Sequence, residues 1–199
     1  MSIKLVVLIS GSGSNLQAIL DACRDQVLPA EVVAVISSKA DAFGLIRAQS
    51  AGVKAIYFQK LEGEARRDYD ARLANEVAGL NADYVVLAGW LRLLTSAFLE
   101  RFSERVINLH SALPGTFPGL HAIESAYAAF QRGEIKGSGV MVHLVPDEGV
   151  DNGPVLATQE ISFRAGETLE QFEARVHDVE HKLLVETLKN LISNRAQAL

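Results

Sequence analysis

The sequence contains little cysteine, no surplus of positive charge and no long hydrophobic run. Cys23 is the only cysteine among 199 residues, so no disulfide can form within the chain, and a reducing compartment is expected. The formal net charge of −5 disfavours a nucleic-acid binder, because neutralising the phosphates of a polynucleotide requires an excess of lysine and arginine. No apolar run approaches the length that crosses a bilayer, so we expect no membrane partner.

The start of the chain and its overall composition indicate an ordinary globular protein. Residues 1–4 lead directly into an apolar strand, without the apolar region and cleavage site of a signal peptide, which predicts a cytoplasmic protein. Hydrophobic residues make up 49% and charged residues 22% of the chain, as is usual for globular domains. We expect one domain over residues 1–199, because no linker, repeat or low-complexity segment interrupts it.

Apolar runs and helical patterns alternate along the first half of the chain. The predicted strands are 3–10, 32–38, 54–58, 84–88 and 106–110. Their continuous Val, Ile and Leu content is typical of parallel strands that are covered on both faces. Two later runs, 140–145 and 154–163, are joined by a loop without a helix, which predicts an antiparallel pair. The predicted fold class is therefore α/β: a doubly wound, mostly parallel sheet with helices on both faces and an antiparallel strand pair near the C-terminal end.

The run 106–110 ends in an amide and an imidazole. Because side chains alternate along a strand, Asn108 and His110 are predicted to point to the same side of the sheet. At the carboxyl end of a buried strand, they would face the crevice where α/β sheets bind ligands. An amide and an imidazole can together bind a carbonyl oxygen and move a proton. A hydrogen-bonded strand end without chemistry is the alternative interpretation.

A glycine-rich segment, residues 10–15, joins the first strand to a helix. It lacks the third glycine of a dinucleotide-binding motif and the lysine of a P-loop. The free N–H groups at the start of the helix could bind a single terminal phosphate. A turn capped by Ser14 and Gln17 is the equally weighted alternative.

A loop near the C-terminal strands contains three carboxylates, Asp147, Glu148 and Asp151. Such loop carboxylates are usually solvated, but one of them could pair with the imidazole of His110 and keep it charged. Asp151 is the favoured candidate, because the tight turn predicted at 152–154 would fix its direction.

The last helix contains His177 and His181 in a pattern found in some zinc peptidases. A catalytic zinc needs a third protein ligand, and no histidine, cysteine or aspartate follows His181. We therefore predict no metal site. Glu180, which lies between the two histidines, is predicted to accept a hydrogen bond from an ammonium or a hydroxyl group.

These motifs, in this order, resemble the folate-dependent formyltransferases over nearly the whole chain, from Ile3 to about Leu191. The resemblance rests on the segments 11–15, 40–44, 86–94, 108–110, 118–121, 142–143, 151–154 and 180–181. It implies transfer of a formyl group from 10-formyltetrahydrofolate, a co-substrate, to the amine of glycinamide ribonucleotide in purine synthesis. A homodimer is compatible with this interpretation.

The resemblance also implies a role for particular residues. Asn108, His110 and Asp151 would be catalytic, with the amide and a protonated imidazole stabilising charge on the formyl oxygen. The phosphate of the ribonucleotide would bind in the N-terminal half, at Gly13, Ser14 and Asn15. Gly89 and Glu180 would contact the rest of the ribonucleotide. The folate would bind mainly in the C-terminal half, and the residues implied to contact it are Arg66 (or its neighbour Arg67), Leu91, Arg92, Leu93, Leu94, Asn108, Pro146 and Asp147.

The chain departs from the family pattern at three places. Ser111 and Ala112 stand where the family usually has Pro-Ser, the segment 143–151 is one residue longer, and His177 occupies a variable position. Three alternative functions agree less well with the sequence. A formyltetrahydrofolate deformylase would use the same three catalytic residues with water, but it would leave the glycine-rich segment without a purpose. A methionyl-tRNA formyltransferase would require a basic surplus, and a non-catalytic phosphate binder would not require the three residues together.

Overall fold

Seven strands form one sheet in the part of the chain that the computed structural model describes, residues 2–197. The strands are β1 (Ile3–Ile9), β2 (Ala30–Ser37), β3 (Lys54–Tyr57), β4 (Tyr84–Leu87), β5 (Val106–His110), β6 (Gly137–Leu144) and β7 (Val155–Ser162). The helices are α1 (Ser14–Arg24), α2 (Phe43–Ser50), α3 (Arg66–Gly79), α4 (Ser96–Leu99, followed by a 3₁₀ turn at Glu100–Phe102), α5 (Ala122–Gln131) and α6 (Leu169–Gln197). None of these helices is both long enough and apolar enough to cross a membrane.

The strand order across the sheet is β3-β2-β1-β4-β5-β6-β7. Strands β1 to β5 pair in parallel, whereas β6 runs antiparallel to both β5 and β7. The predicted fold class is thus confirmed. The chain proceeds outward from β1 to β2 and β3 and then returns to β4 on the other side of β1. Open α/β sheets bind ligands at such a reversal, here between the carboxyl ends of β1 and β4.

Hydrophobic clusters cover both faces of the sheet. Val7 of β1 belongs to a cluster with Leu16 of α1 and Phe172 of α6, which lie on one face. The adjacent residue Val6 belongs to a second cluster with Tyr69 of α3, on the opposite face. Because both faces are buried, the strands need apolar side chains at successive positions, which explains their continuous hydrophobic runs.

The element boundaries agree closely with the sequence-based expectations, with one correction at α1. Strand β5 has the predicted bounds, and β6 begins earlier than predicted, at Gly137. The alternative interpretation of a turn capped by Ser14 and Gln17 is wrong: α1 begins at Ser14 itself, and Gly13 before it has a left-handed conformation with no side-chain cap. The Gln17 amide instead forms a hydrogen bond with Asp21 within the helix.

Candidate active site

A cleft of about 470 Å³ lies over the carboxyl ends of β4 and β5. The segment that follows β4 and the loop between β6 and β7 both contribute to its lining. The residues that line it are Leu87, Gly89–Leu94, Asn108–Ser111, Gly119–Glu124, His143, Val145 and Asp147–Asp151. Its lining thus includes most of the residues that sequence reasoning assigned to catalysis and to the folate.

Asn108 and His110 both line this cleft, as the alternation along β5 predicts. The antiparallel pairing of β5 with β6 places His143 directly opposite Asn108. The Asn108 amide nitrogen lies 3.1 Å from Nε2 of His143, and Nδ1 of His143 lies 2.8 Å from the carbonyl oxygen of Leu144. A carbonyl can only accept, so Nδ1 of His143 carries a hydrogen, and a neutral ring accepts from Asn108 at Nε2.

Asp151 joins this group from the loop between β6 and β7, where its φ is +50°. Its Oδ1 accepts a hydrogen bond from the Asn108 amide at 3.1 Å, and its Oδ2 accepts one from the Gly119 N–H at 2.8 Å. Oδ2 also lies 3.4 Å from Nδ1 of His110, and Oδ1 lies 3.5 Å from Nε2 of His143. The predicted side chains Asn108, His110 and Asp151 therefore converge.

The surroundings of Asp151 favour its ionised form. Burial raises the pKa of Asp151, but the hydrogen bond from the Gly119 N–H and the nearby His110 oppose this effect, and the pKa of Asp151 falls below its usual value. The other two loop carboxylates have different partners. Asp147 accepts the N–H of Gly149, and Glu148 accepts the N–H of Ser96 at 2.8 Å.

The Asn108 amide has both of its hydrogens directed at protein acceptors, one at Asp151 and one at His143. An ionised carboxylate can only accept, which fixes the amide with its NH₂ group toward Asp151. A carbonyl oxygen in the cleft would therefore have to take over one of these hydrogens. Nε2 of His110 is different: it is buried and has no hydrogen-bond partner among residues 2–197.

Close backbone packing holds the loop that carries Asp151. A Cβ at Gly153 would lie 1.8 Å from the carbonyl oxygen of Leu144, so no other residue fits without moving the backbone. The Leu144 N–H donates to the carbonyl of Pro154 at 2.9 Å and closes the base of the loop. Residues 152–154 do not form the expected hydrogen-bonded turn. This segment instead packs closely against the end of β6.

Half of the residues implied to bind folate lie in one wall of the cleft, which is formed by Leu91–Leu94. Leu91, Arg92, Leu93, Leu94, Asn108 and Asp147 line the cleft, whereas Pro146 lies between two lining residues without lining the cleft itself. Leu91 and Leu93 are about half exposed, with relative exposures of 50% and 48%. The Leu91 N–H donates to the buried Ser10 hydroxyl at 3.0 Å, so the end of β1 holds this wall in place.

A second, smaller cavity of about 270 Å³ continues beside this wall. It is lined by Lys60, Arg66, Tyr69, Asp70, Arg92 and Leu93. Arg66 donates from Nε to the Leu93 carbonyl at 3.1 Å, whereas Arg67 does not line the cavity. Of the two adjacent arginines, the structure therefore places Arg66 next to the candidate folate wall. Lys60 was not identified from the sequence.

Gly13, Ser14 and Asn15 lie at the start of α1, where backbone N–H groups are free of helical partners. Gly13 has φ +72°, and a Cβ there would lie 2.7 Å from the Cα of Gly44 at the start of α2. Arg47 of α2 donates from Nε to the Ser12 carbonyl at 2.9 Å and steadies the loop. Sequence reasoning missed Arg47, because nothing in the sequence shows that α2 packs against this loop.

Glu180 of α6 connects this loop to the catalytic strand. Its side chain is buried and accepts hydrogen bonds from Asn15 at 3.0 Å, from Ser111 at 2.5 Å and from His177 at 2.9 Å. Burial raises the pKa of a carboxyl group, but these donors outweigh that effect, and the pKa of Glu180 lies below its usual value. The predicted role of Glu180 as an acceptor thus matches its environment.

His177 contacts carboxylates on its own helix: Nδ1 lies 2.9 Å from Glu180 and Nε2 lies 3.5 Å from Glu173. The hydrogen bond to Glu180 raises the pKa of His177 above its ordinary value despite partial burial. Within residues 2–197, no group of three or more histidine, cysteine, aspartate or glutamate side chains is arranged to hold a metal ion.

Comparison with known proteins identifies the family. The family model described as formyl transferase matches residues 3–188. The chain belongs to the formyl transferase family. It is 42% identical to the phosphoribosylglycinamide formyltransferase of Dictyostelium discoideum over 96% of this chain and 98% of that protein. The Escherichia coli protein of the same name is 41% identical over 90% of this chain and 82% of that protein.

The solved structures agree with this assignment. The crystal structure of glycinamide ribonucleotide transformylase 1 from Symbiobacterium toebii has a TM-score of 0.91 and 39% identity, covering 98% of this chain and 89% of that one. The formyl transferase fold here thus includes all seven strands, β6 among them. The sequence analysis named His143 only as part of the family-like segment 142–143 and gave it no role. In the structure His143 lies against Asn108 and Asp151.

Proposed function

We propose that this formyl transferase moves the formyl group of 10-formyltetrahydrofolate to the amine of glycinamide ribonucleotide, in the cytoplasm, as a step of purine synthesis. One observation carries the proposal: a carboxamide, an imidazole and an ionised carboxylate meet at one wall of the cleft, with Asp151 within 3.5 Å of both Asn108 and His110. The names of the relatives at 41–42% identity support formyl transfer to glycinamide ribonucleotide. The folate donor is supported by the resemblance of the sequence motifs to the folate-dependent formyltransferases.

The two substrates would bind at adjoining sites: the folate in the cleft and the phosphate of the ribonucleotide at the glycine-rich loop. The folate would lie in the cleft along Leu91, Leu93 and Leu94, where apolar side chains suit a pterin ring, and its acidic tail would reach Arg66 and Arg92. The phosphate of the ribonucleotide would bind the N–H groups of residues 13–15 at the start of α1, because a helix N-terminus attracts an anion.

The reaction then proceeds by direct attack. The neutral amine nitrogen forms a bond to the formyl carbon, and the formyl oxygen takes up negative charge in a tetrahedral intermediate. His110 donates a hydrogen bond from Nε2 to this oxygen. Asn108 donates a second one, through one of the two amide N–H groups that are directed at Asp151 and His143 in the absence of substrate. An imidazolium at His110 would be paired with the ionised carboxylate 3.4 Å away.

Collapse of the intermediate breaks the bond between the formyl carbon and the folate nitrogen. The proton that the amine loses is transferred to that leaving nitrogen, so the products are the formylated amine and tetrahydrofolate. Asp151 would pass this proton through His110 or through a water molecule, a role that its distance of 3.4 Å from His110 supports. No covalent intermediate with the protein is needed, because a neutral amine is already a sufficient nucleophile.

The proposal is tested by measuring folate release and product formation with and without glycinamide ribonucleotide. We expect release only with the ribonucleotide, and one formylated ribonucleotide for each folate released. Other amines at the same concentration should react far more slowly. Equal folate release with and without the ribonucleotide would indicate a deformylase and would overturn the proposal.

A further inference from the structure

The carboxylate of Glu180 receives hydrogen bonds from three separate elements. Asn15 reaches it from the start of α1, Ser111 from the end of β5 and His177 from α6 itself. Glu180 is only 3% exposed, so the direction of its oxygens is set by these donors rather than by solvent. This carboxylate therefore connects the loop proposed to bind phosphate with the residue that follows His110.

The two oxygens of Glu180 are not equivalent. Oε2 accepts from both Asn15 and His177, whereas Oε1 accepts from Ser111. An ionised carboxylate offers about four acceptor positions, two on each oxygen. The described side chains occupy both positions on Oε2 and one on Oε1. The acceptor position that the described side chains leave free is thus on Oε1, the oxygen that Ser111 holds.

We propose that Ser111 is a positioning residue for the acceptor ribonucleotide. Its hydroxyl directs Oε1 of Glu180 so that this oxygen accepts a hydrogen from a polar group lying between the phosphate and the amine of the ribonucleotide. The inference rests on the proposed function. It predicts that Ser111 contributes to binding of the ribonucleotide and not to binding of the folate. A proline at this position, which the family usually has, could not donate such a hydrogen bond.

Ser111 also lines the cleft, so its replacement has to be distinguished from a general disturbance of β5. Displacement of His110 would lower the turnover number, and displacement of the cleft wall would weaken folate binding. Loss of the hydrogen bond to Glu180 would mainly weaken binding of the ribonucleotide. The ratio of the two KM values therefore separates a positioning role from a merely structural one.

The experiment compares Ser111→Ala and Ser111→Thr with the unmodified protein. Ser111→Ala removes the hydroxyl, and we expect the KM and the Kd for glycinamide ribonucleotide to rise by roughly tenfold, the usual effect of losing a hydrogen bond to a charged group. The KM for 10-formyltetrahydrofolate should change by less than about twofold in the same variant. Ser111→Thr retains a hydroxyl and should restore ribonucleotide binding. Ser193→Ala, which removes an exposed hydroxyl that among residues 2–197 is bonded only to the Lys189 carbonyl, is the matched control.

Three results would overturn the inference: an unchanged Kd for the ribonucleotide in Ser111→Ala, an equal rise in both KM values, or a Ser111→Thr variant that binds as weakly as the alanine variant although its Tm is normal. Failure of the proposed function has a different signature, since the unmodified protein itself would then not formylate the ribonucleotide. The Kd for the ribonucleotide, measured by calorimetry without folate, tests Ser111 independently of turnover.

Discussion

Oδ2 of Asp151 lies 3.4 Å from Nδ1 of His110. His110 ends the parallel strand β5, whereas Asp151 lies in the loop that joins the antiparallel strands β6 and β7. The separation is long for a hydrogen bond but short for a charge interaction. The same carboxylate accepts hydrogen bonds from Asn108 and Gly119, so it is held in place without depending on the imidazole. The arrangement is suited to stabilising a positive charge that forms on His110.

Replacing His110 tests whether its imidazole acts on the formyl oxygen. His110→Ala removes the donor at Nε2, and we expect kcat to fall by roughly 10²–10³, the usual effect of losing one such donor. The circular dichroism spectrum and the chromatographic behaviour should remain those of the unmodified protein. Turnover close to normal in a folded variant would show that His110 has no part in the chemistry.

Replacing Asp151 by asparagine tests its charge with little change of shape. Its pKa is lowered in the folded protein, so it stabilises the fold above the usual pKa of 3.8, and this contribution is lost as the pH falls through the lower folded value. We expect Asp151→Asn to reduce the Tm above pH 3.8 and to approach the unmodified protein in stronger acid. Turnover should fall at every pH, because the variant cannot pair with an imidazolium at His110.

The measurement is thermal unfolding of both proteins over a series of pH values. A difference in Tm that stays constant from the acid end of the series upward would contradict the assignment of a lowered pKa to Asp151. Asp147→Asn is the matched control, because Asp147 lies in the same loop and contacts only the Gly149 N–H among the described residues.

The sequence predicted the parallel part of the sheet well, because continuous apolar runs between helices permit few other arrangements. It also placed Asn108 and His110 on one side of β5, since alternation along a strand is a local property. The role of His143 could not be obtained in this way. Its position depends on the register between β5 and β6, two strands separated by a loop and a helix, and no local pattern fixes that register.

The start of α1 shows why the alternative interpretation, a helix capped by Ser14, is wrong. Ser14 and Gln17 have the residue types and spacing of a capping box, but Gly13 takes the left-handed conformation and Gly44 packs against it. The helix therefore begins one residue earlier than a Ser14 cap allows. A contact from α2 overrides the local preference, and the backbone N–H groups remain without a side-chain cap.

The pairing of His177 with Glu180 predicts a pH-dependent contribution to stability. The pKa of His177 is raised in the folded protein, so the pair stabilises the fold fully below the usual value of 6.5, and the contribution is lost as the pH rises through the higher folded value. We expect His177→Gln to lower the Tm most on the acid side of pH 6.5 and progressively less above it. Thermal unfolding of both proteins across that range is the measurement, and a difference that grows with pH would refute the pairing.

The close approach of Gly13 to Gly44 predicts a specific cost for a side chain at position 13. Gly13→Ala would place a Cβ 2.7 Å from the Cα of Gly44 in a residue with φ +72°. Gly52→Ala is the matched control, because its φ is +71° and nothing lies within 4 Å of the new Cβ. We expect both variants to lose about 1 kcal/mol or more of unfolding free energy from the backbone conformation. Only Gly13→Ala should also weaken ribonucleotide binding, measured as Kd by calorimetry.

The two adjacent arginines at the start of α3 allow a direct test of where the acidic tail of the folate lies. Arg66 lines the smaller cavity with Lys60 and Arg92 and is held there by the Leu93 carbonyl, whereas Arg67 does not line it. We expect Arg66→Ala to raise the KM for 10-formyltetrahydrofolate by roughly tenfold, because a carboxylate loses a charge-assisted partner. Arg67→Ala removes the same charge from the same helical turn and should leave this KM within about twofold of normal. The KM for the ribonucleotide should stay constant in both variants, since its proposed site lies at α1. Equal effects of the two substitutions on the folate KM would mean that net charge, rather than the position of Arg66, governs binding of the tail.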